Sequence, residues 1–140
     1  MAENNTPGFE QFMDDQGTLT PAGEAVLLQG IAVLCEASGR QAFSLGWYDN
    51  AQDRGFGEEI ALMHSELSEA LEEYRNGKGY DEQYTSGEKN KPEGIPSEFA
   101  DVFIRMGDTA KHRKIPIADG VLAKLRFNPT RGYRHGGKVI

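Results

Sequence analysis

A chain of 140 residues and 15.4 kDa, 38% hydrophobic and 26% charged, holds material for one modest core, which excludes full disorder and collagen-like repetition. No run approaches the roughly 18 apolar residues of a spanning helix, and the acidic opening MAENNTPGFEQFMDD is unlike a targeting peptide, so a cytoplasmic protein with no membrane partner is expected. The net charge is −7, and Cys35 is the one cysteine, which excludes an intramolecular disulfide and a multi-cysteine zinc site.

Residues 1–19 read as a polar lead-in, with Phe9, Phe12 and Met13 available to dock on the body. Thr20-Pro21 predicts a helix start, a hydroxyl N-cap followed by proline at the first helical position. Val26, Leu27, Ile31, Val33 and Leu34 form its apolar stripe, Gly39 is the expected stop, and Cys35 beside the stripe reads as a buried inert thiol. Residues 39–57, with four glycines, read as a connector or broken helix. The clearest periodicity predicts a helix from about Glu58 to Arg75, with Ile60, Met63, Leu67, Ala70, Leu71 and Tyr74 at three- and four-residue steps and Asn76-Gly77 after them. Residues 77–95 have almost no apolar content and read as a long polar loop.

Pro96 opens a third helix, expected to pack through Phe99, Val102, Phe103, Met106 and Ala110. Pro116 opens a fourth, carrying Ile117, Val121, Leu122 and Leu125 and ending near Asn128-Pro129. No stretch alternates like a strand, so the fold class is all-α, a helix bundle. The expected organisation is a lead-in over 1–19, a helical body over 20–128 interrupted by the 77–95 insert, and a basic tail over 129–140 with Arg134, His135 and Lys138.

Helix two contains SELSEA, placing Glu66 and Glu69 three residues apart, and helix three contains SEFAD, placing Glu98 and Asp101 likewise. That spacing puts each pair on one helix face, roughly 90° to 160° from the centre of the apolar stripe. Acidic pairs on amphipathic helices are commonly no more than solvated faces. Two such pairs on successive helices, at the edge of the core, could instead converge, and converging carboxylates repel unless a cation lies between them. An all-oxygen set favours magnesium or manganese over zinc or copper. No Glu has His three residues later, which disfavours a di-iron oxidase. Glu59 and Glu73 flank the same face, where exposure is the ordinary expectation.

Charge is segregated: residues 1–56 carry −6, residues 57–101 carry −8 and residues 102–140 carry +7. An acidic whole argues against stable nucleic-acid binding, whereas an acidic centre with a basic end suits a cation together with an anion such as phosphate. Lys124, Asn128 and Arg131 recur at four- and three-residue steps, a donor set suited to phosphate oxygens, and Arg105 could join them. The same residues could merely complement a helix dipole. Trp47 could stack on a base or close the core beneath the connector. Gln41 could reach a base edge, although an exposed Gln is the commoner outcome.

The SELSEA pair, the SEFAD pair and the terminal K-x-x-x-N-x-x-R followed by Tyr133 make the stretch from about Arg40 to Tyr133 resemble the MazG-like all-α nucleoside triphosphate pyrophosphohydrolases. That superfamily also holds dimeric dUTPases and phosphoribosyl-ATP pyrophosphohydrolases. The resemblance implies a four-to-five-helix bundle that assembles as a homodimer or homotetramer. It also implies Mg2+, with Mn2+ as substitute, held by Glu66, Glu69, Glu98 and Asp101. Lys124 and Asn128 would hold the phosphates, and the α–β bond of a (d)NTP would be hydrolysed to (d)NMP and pyrophosphate. Glu69 is the first candidate for the base that accepts the water's proton, followed by Glu66. Arg131, Arg105, Trp47 and Tyr133 complete the expected substrate site. A catalytically silent nucleotide-binding or partner module, and a phosphoribosyl-ATP hydrolase, are the alternatives.

Overall fold

The computed structural model describes residues 8–49 and 54–137. It is mostly helical: α1 spans Pro21–Ser44, α2 Phe56–Arg75, α3 Ile95–Arg113, α4 Ile117–Phe127 and the short α5 Arg134–Gly137. A 3-10 turn covers Asn128–Arg131, and a hairpin of β1 (Tyr84–Ser86) and β2 (Lys91–Glu93) lies between α2 and α3. None of the described helices is long and apolar enough to cross a membrane. Lys138 and the side chain of His135 lie outside what is described.

Packing divides the chain into two compact units, one made of the residues up to Val33 with those from Pro116 onward, the other of Leu34–Ile115. In the first, Asp14 Oδ1 accepts from the amides of Gln16 and Thr18 and closes a tight turn, and Met13 bridges to Leu19. Thr20 is the expected N-cap: its Oγ1 accepts from the Gly23 amide at 3.1 Å and donates to the Gln11 carbonyl at 2.7 Å. Gly23 is needed for contact as well, because a Cβ there would meet the Phe12 carbonyl oxygen at 1.9 Å. The lead-in therefore docks through backbone at Phe12, while Phe9 stays half-exposed. Arg126 of α4 grips Glu24 of α1 through two bonds of 2.7 and 2.6 Å.

In the second unit, α2 and α3 pack side by side. Their ties run in opposite order, Glu59 to Arg113 and Glu66 to Arg105, so the two helices are antiparallel. Helix α1 does not stop at Gly39 but continues to Ser44. Gly39 serves packing instead: a Cβ there would meet Lys111 Cγ at 2.6 Å, and Lys111 bonds Glu36 one turn earlier on α1. Gly107 of α3 repeats the device against Ser38 and Cys35, and Cys35 is half-buried. Helix α2 ends as expected, with the Asn76 amide on the Glu72 carbonyl and Gly77 at φ 81°.

The hairpin is the main departure from the sequence reading. Both strands are three residues long and largely exposed, so no alternation of apolar residues marks them. The turn Gly87–Asn90 is held by the Asn90 amide on the Gly87 carbonyl, with φ of 67° at Gly87 and 52° at Asn90. Gly94 then leads into α3 at φ 107°, so close to the chain that a Cβ would meet the Glu82 carbonyl oxygen at 2.3 Å.

The core is small. Among the described residues, the buried hydrophobic side chains are Ala70, Ile95, Ala110 and Leu122. Helix α3 was expected to bury Phe99, Phe103 and Met106, yet all three are exposed, Phe103 by 60%. Leu67, Leu71 and Tyr74 of α2 are exposed as well. Much of the apolar surface of these two helices is therefore exposed.

Candidate functional site

The antiparallel pairing of α2 and α3 brings the two acidic pairs together. Glu66 and Glu69 lie in the middle of α2, while Glu98 lies in the first turn of α3, where the helix N-terminus favours negative charge. Each of Glu66, Glu69 and Glu98 offers a carboxylate oxygen within 4.8 Å of the others. Glu66 and Glu98 are buried and Glu69 is exposed, so the cluster opens to solvent on one side. Asp101, one turn beyond Glu98 and half-buried, lies outside that closest set but its charge is felt by Glu98.

Electrostatic strain is concentrated at Glu98. It is 3% exposed, and its Oε2 has no hydrogen-bond partner. Burial, with the Glu69 carboxylate next, pushes its pKa up to about 7, while the Lys91 ammonium opposes the rise. Asp101 is also raised, by burial first and then by Glu66, with Arg105 and Lys91 opposing. A buried acceptor without a donor, facing two more carboxylates, fits a hard divalent cation in both charge and donor type.

Arg105 was expected among the phosphate ligands. It instead pairs with Glu66, its Nε donating to Oε1 at 2.7 Å and its second guanidinium nitrogen lying 2.6 Å from the same oxygen. This satisfies one oxygen of the buried Glu66 carboxylate.

Beside the cluster lies a cleft of about 240 Å³ whose wall includes Gln41, Trp47, Arg54, Asp101 and Arg105. Trp47 is 62% exposed, so it does not plug the core, and the Arg54 guanidinium lies 5.2 Å from its ring centre. Gln41 is exposed and lines the same cleft. Tyr48 turns the other way: its hydroxyl donates to Asp108 at 2.6 Å and its ring stacks on His112 at 4.4 Å. Burial, reinforced by the Asp108 bond, raises the Tyr48 pKa far above the ordinary phenol range.

Glu59 and Glu73 are not the exposed residues expected. Glu59 is buried against Arg113, which donates to it at 2.5 and 3.3 Å and to the Arg54 carbonyl at 2.6 Å. Glu73 accepts from the Tyr84 hydroxyl of the hairpin at 2.9 Å and is half-buried. Lys91, Arg54 and Arg113 escaped the sequence reading because each acts on residues distant in sequence or lies in a stretch taken for loop.

Lys124, Asn128, Arg131 and Tyr133 belong to the other unit, and the cluster and cleft are built from residues 34–115. Helix α4 ends at Phe127, Asn128 caps it, and Pro129 turns the chain into a 3-10 segment. Lys124 and Arg131 therefore meet at one ring, their charges 5.6 and 5.9 Å from the centre of Phe127. Tyr133 is exposed under Arg134. Comparison with known proteins finds no matching family model, no matching curated protein and no matching solved structure.

Proposed function

We propose that the chain is a magnesium-dependent nucleoside triphosphate pyrophosphohydrolase that cleaves a (d)NTP at the α–β bond to (d)NMP and pyrophosphate. The observation that carries the reading is the unpartnered Glu98 Oε2, buried beside Glu66 and Glu69 with ligand oxygens within 4.8 Å of one another. Glu66, Glu69, Glu98 and Asp101 would hold the ion, with manganese able to replace magnesium. The ion supplies positive charge against the roughly four negative charges of a triphosphate and those that build up during attack at phosphorus.

The chain's own groups do the rest. Glu69, the exposed member of the cluster, is open to a water and accepts its proton as the oxygen attacks phosphorus, with Glu66 next in line. Pyrophosphate leaves with the bonding pair of the α–β bridge. Trp47 offers an exposed ring in the cleft that shares Asp101 and Arg105 with the acidic edge, so a base stacks there while its phosphates approach the carboxylates. In the other unit, Lys124, Asn128 and Arg131 are cationic and neutral donors of a kind suited to phosphate oxygens, and Tyr133 is an exposed aromatic ring.

Glu69→Gln and Asp101→Asn each abolish metal-dependent pyrophosphate release while leaving the helical circular dichroism unchanged. A nucleotide panel with both products identified measures this, and full activity in both variants overturns the ligand set.

The exposed side chains of α2 and α3 support assembly through a second copy of the chain, as homodimer or homotetramer. Light scattering at micromolar concentration gives at least twice the chain mass. A monomer throughout that range removes the proposed assembly.

A further inference from the structure

The insert between α2 and α3 is anchored on both helices that carry the acidic cluster. Toward α2, the Tyr84 hydroxyl bonds Glu73, and within the insert the Lys78 ammonium sits 4.3 Å from the Tyr84 ring centre. Toward α3, the Ser97 hydroxyl donates to the Pro92 carbonyl at 3.0 Å, and β2 packs on the helix. Gly94 at φ 107°, pressed against the Glu82 carbonyl, fixes the angle at which strand becomes helix. A segment that merely decorated the surface would not need these ties.

Lys91 stands on β2, seven residues ahead of Glu98, and more than half of its side chain is exposed. Its partner is Glu93, two residues along, at 3.1 Å. Its charge acts on Glu98 and Asp101 and is acted on by Glu69 and Glu98. The other cation whose charge acts on Asp101 is Arg105, which is held by Glu66. Among the described residues, Lys91 therefore differs in being tied only to a neighbour on its own exposed strand, a contact of the kind that contributes little and is easily exchanged.

Resting on the pyrophosphohydrolase reading, we infer that Lys91 is a substrate-binding residue of this site: the hairpin delivers its ammonium to the phosphate oxygens of the triphosphate, and Glu93 holds it when no phosphate is present. A lysine suits this exchange, being a flexible point charge with three donors. Before substrate arrives, the same ammonium competes weakly with the divalent ion for the carboxylates.

The test compares wild type, Lys91→Met and Lys91→Arg in two measurements. One is calorimetric titration with Mn2+ alone; the other is steady-state turnover of the triphosphate that wild type hydrolyses fastest. In Lys91→Met, Mn2+ binding is unchanged or a few-fold tighter, KM for the triphosphate rises about tenfold, and kcat falls less than threefold. Lys91→Arg returns KM to within about threefold of wild type, because it keeps the charge. An unchanged KM in Lys91→Met, a rise that arginine does not rescue, or a rise with a parallel loss of Mn2+ affinity overturns the inference and leaves the enzyme reading standing. A wild type that neither binds Mn2+ nor turns over any triphosphate overturns that reading, and the role of Lys91 with it.

Discussion

Glu98→Gln stabilises the metal-free protein at pH 8 and, on the proposed reading, sharply lowers magnesium-dependent turnover. The side chain is 3% exposed, its Oε2 has no donor, and its pKa is raised to about 7 from an ordinary 4.5. The folded state thus holds the proton more tightly than the unfolded chain does. The stability Glu98 contributes is complete below about pH 4.5 and is lost as pH rises through about 7. Above that range the fold carries a desolvated charge costing on the order of 2–3 kcal/mol. Glutamine has nothing to ionise, so the variant escapes most of this slope, keeping the smaller part that the raised Asp101 contributes in the same direction. Thermal unfolding in chelator between pH 5 and pH 8 measures the difference. On the proposed reading, adding Mn2+ raises the melting temperature of wild type and not of the variant, and pyrophosphate release falls on the order of 10²–10³-fold. Identical pH profiles for the two proteins would remove Glu98 as the strained ligand.

Arg113→Ala unfolds more easily than any surface substitution, by about 3–5 kcal/mol. It leaves Glu59, 6% exposed, without the guanidinium that bonds both of its oxygens, and takes a donor from the Arg54 carbonyl. It also strips the cation from the ring of Phe56, 5.5 Å away at the start of α2. Adding Glu59→Gln to the same chain recovers part of the loss, since the buried charge is then gone. Urea unfolding of the single and double variants checks both statements. A cost below about 1 kcal/mol for Arg113→Ala would mean that the pair is effectively solvated.

The periodic parts of the chain were readable without coordinates. The extent of α2 follows from three- and four-residue steps and its ending from Asn76-Gly77, although much of its apolar stripe stays exposed, and the three-residue spacing of both acidic pairs placed each on one face. Three features were not readable, each for its own reason. Gly39 looks like a helix stop in one dimension, but its missing Cβ makes room for Lys111, seventy-two positions away in sequence. The hairpin is short and polar on both faces, and it depends on side-chain bonds such as Tyr84 to Glu73 that leave no apolar rhythm. Glu59, a carboxylate in a first helical turn, looks solvated until Arg113 is found against it. At the basic end, Pro129 turns the chain into a 3-10 segment, and Lys124 and Arg131 gather at the ring of Phe127.

Arg105 belongs to two places at once: it closes one wall of the Trp47 cleft and it occupies an oxygen of Glu66. Any cleft occupant that draws the guanidinium toward itself frees that oxygen for an ion, and any ion that claims the oxygen frees the guanidinium. By thermodynamic reciprocity, each ligand then tightens the other by the same factor. On the proposed reading, one forked side chain would couple an occupant of the cleft to an ion at the acidic edge.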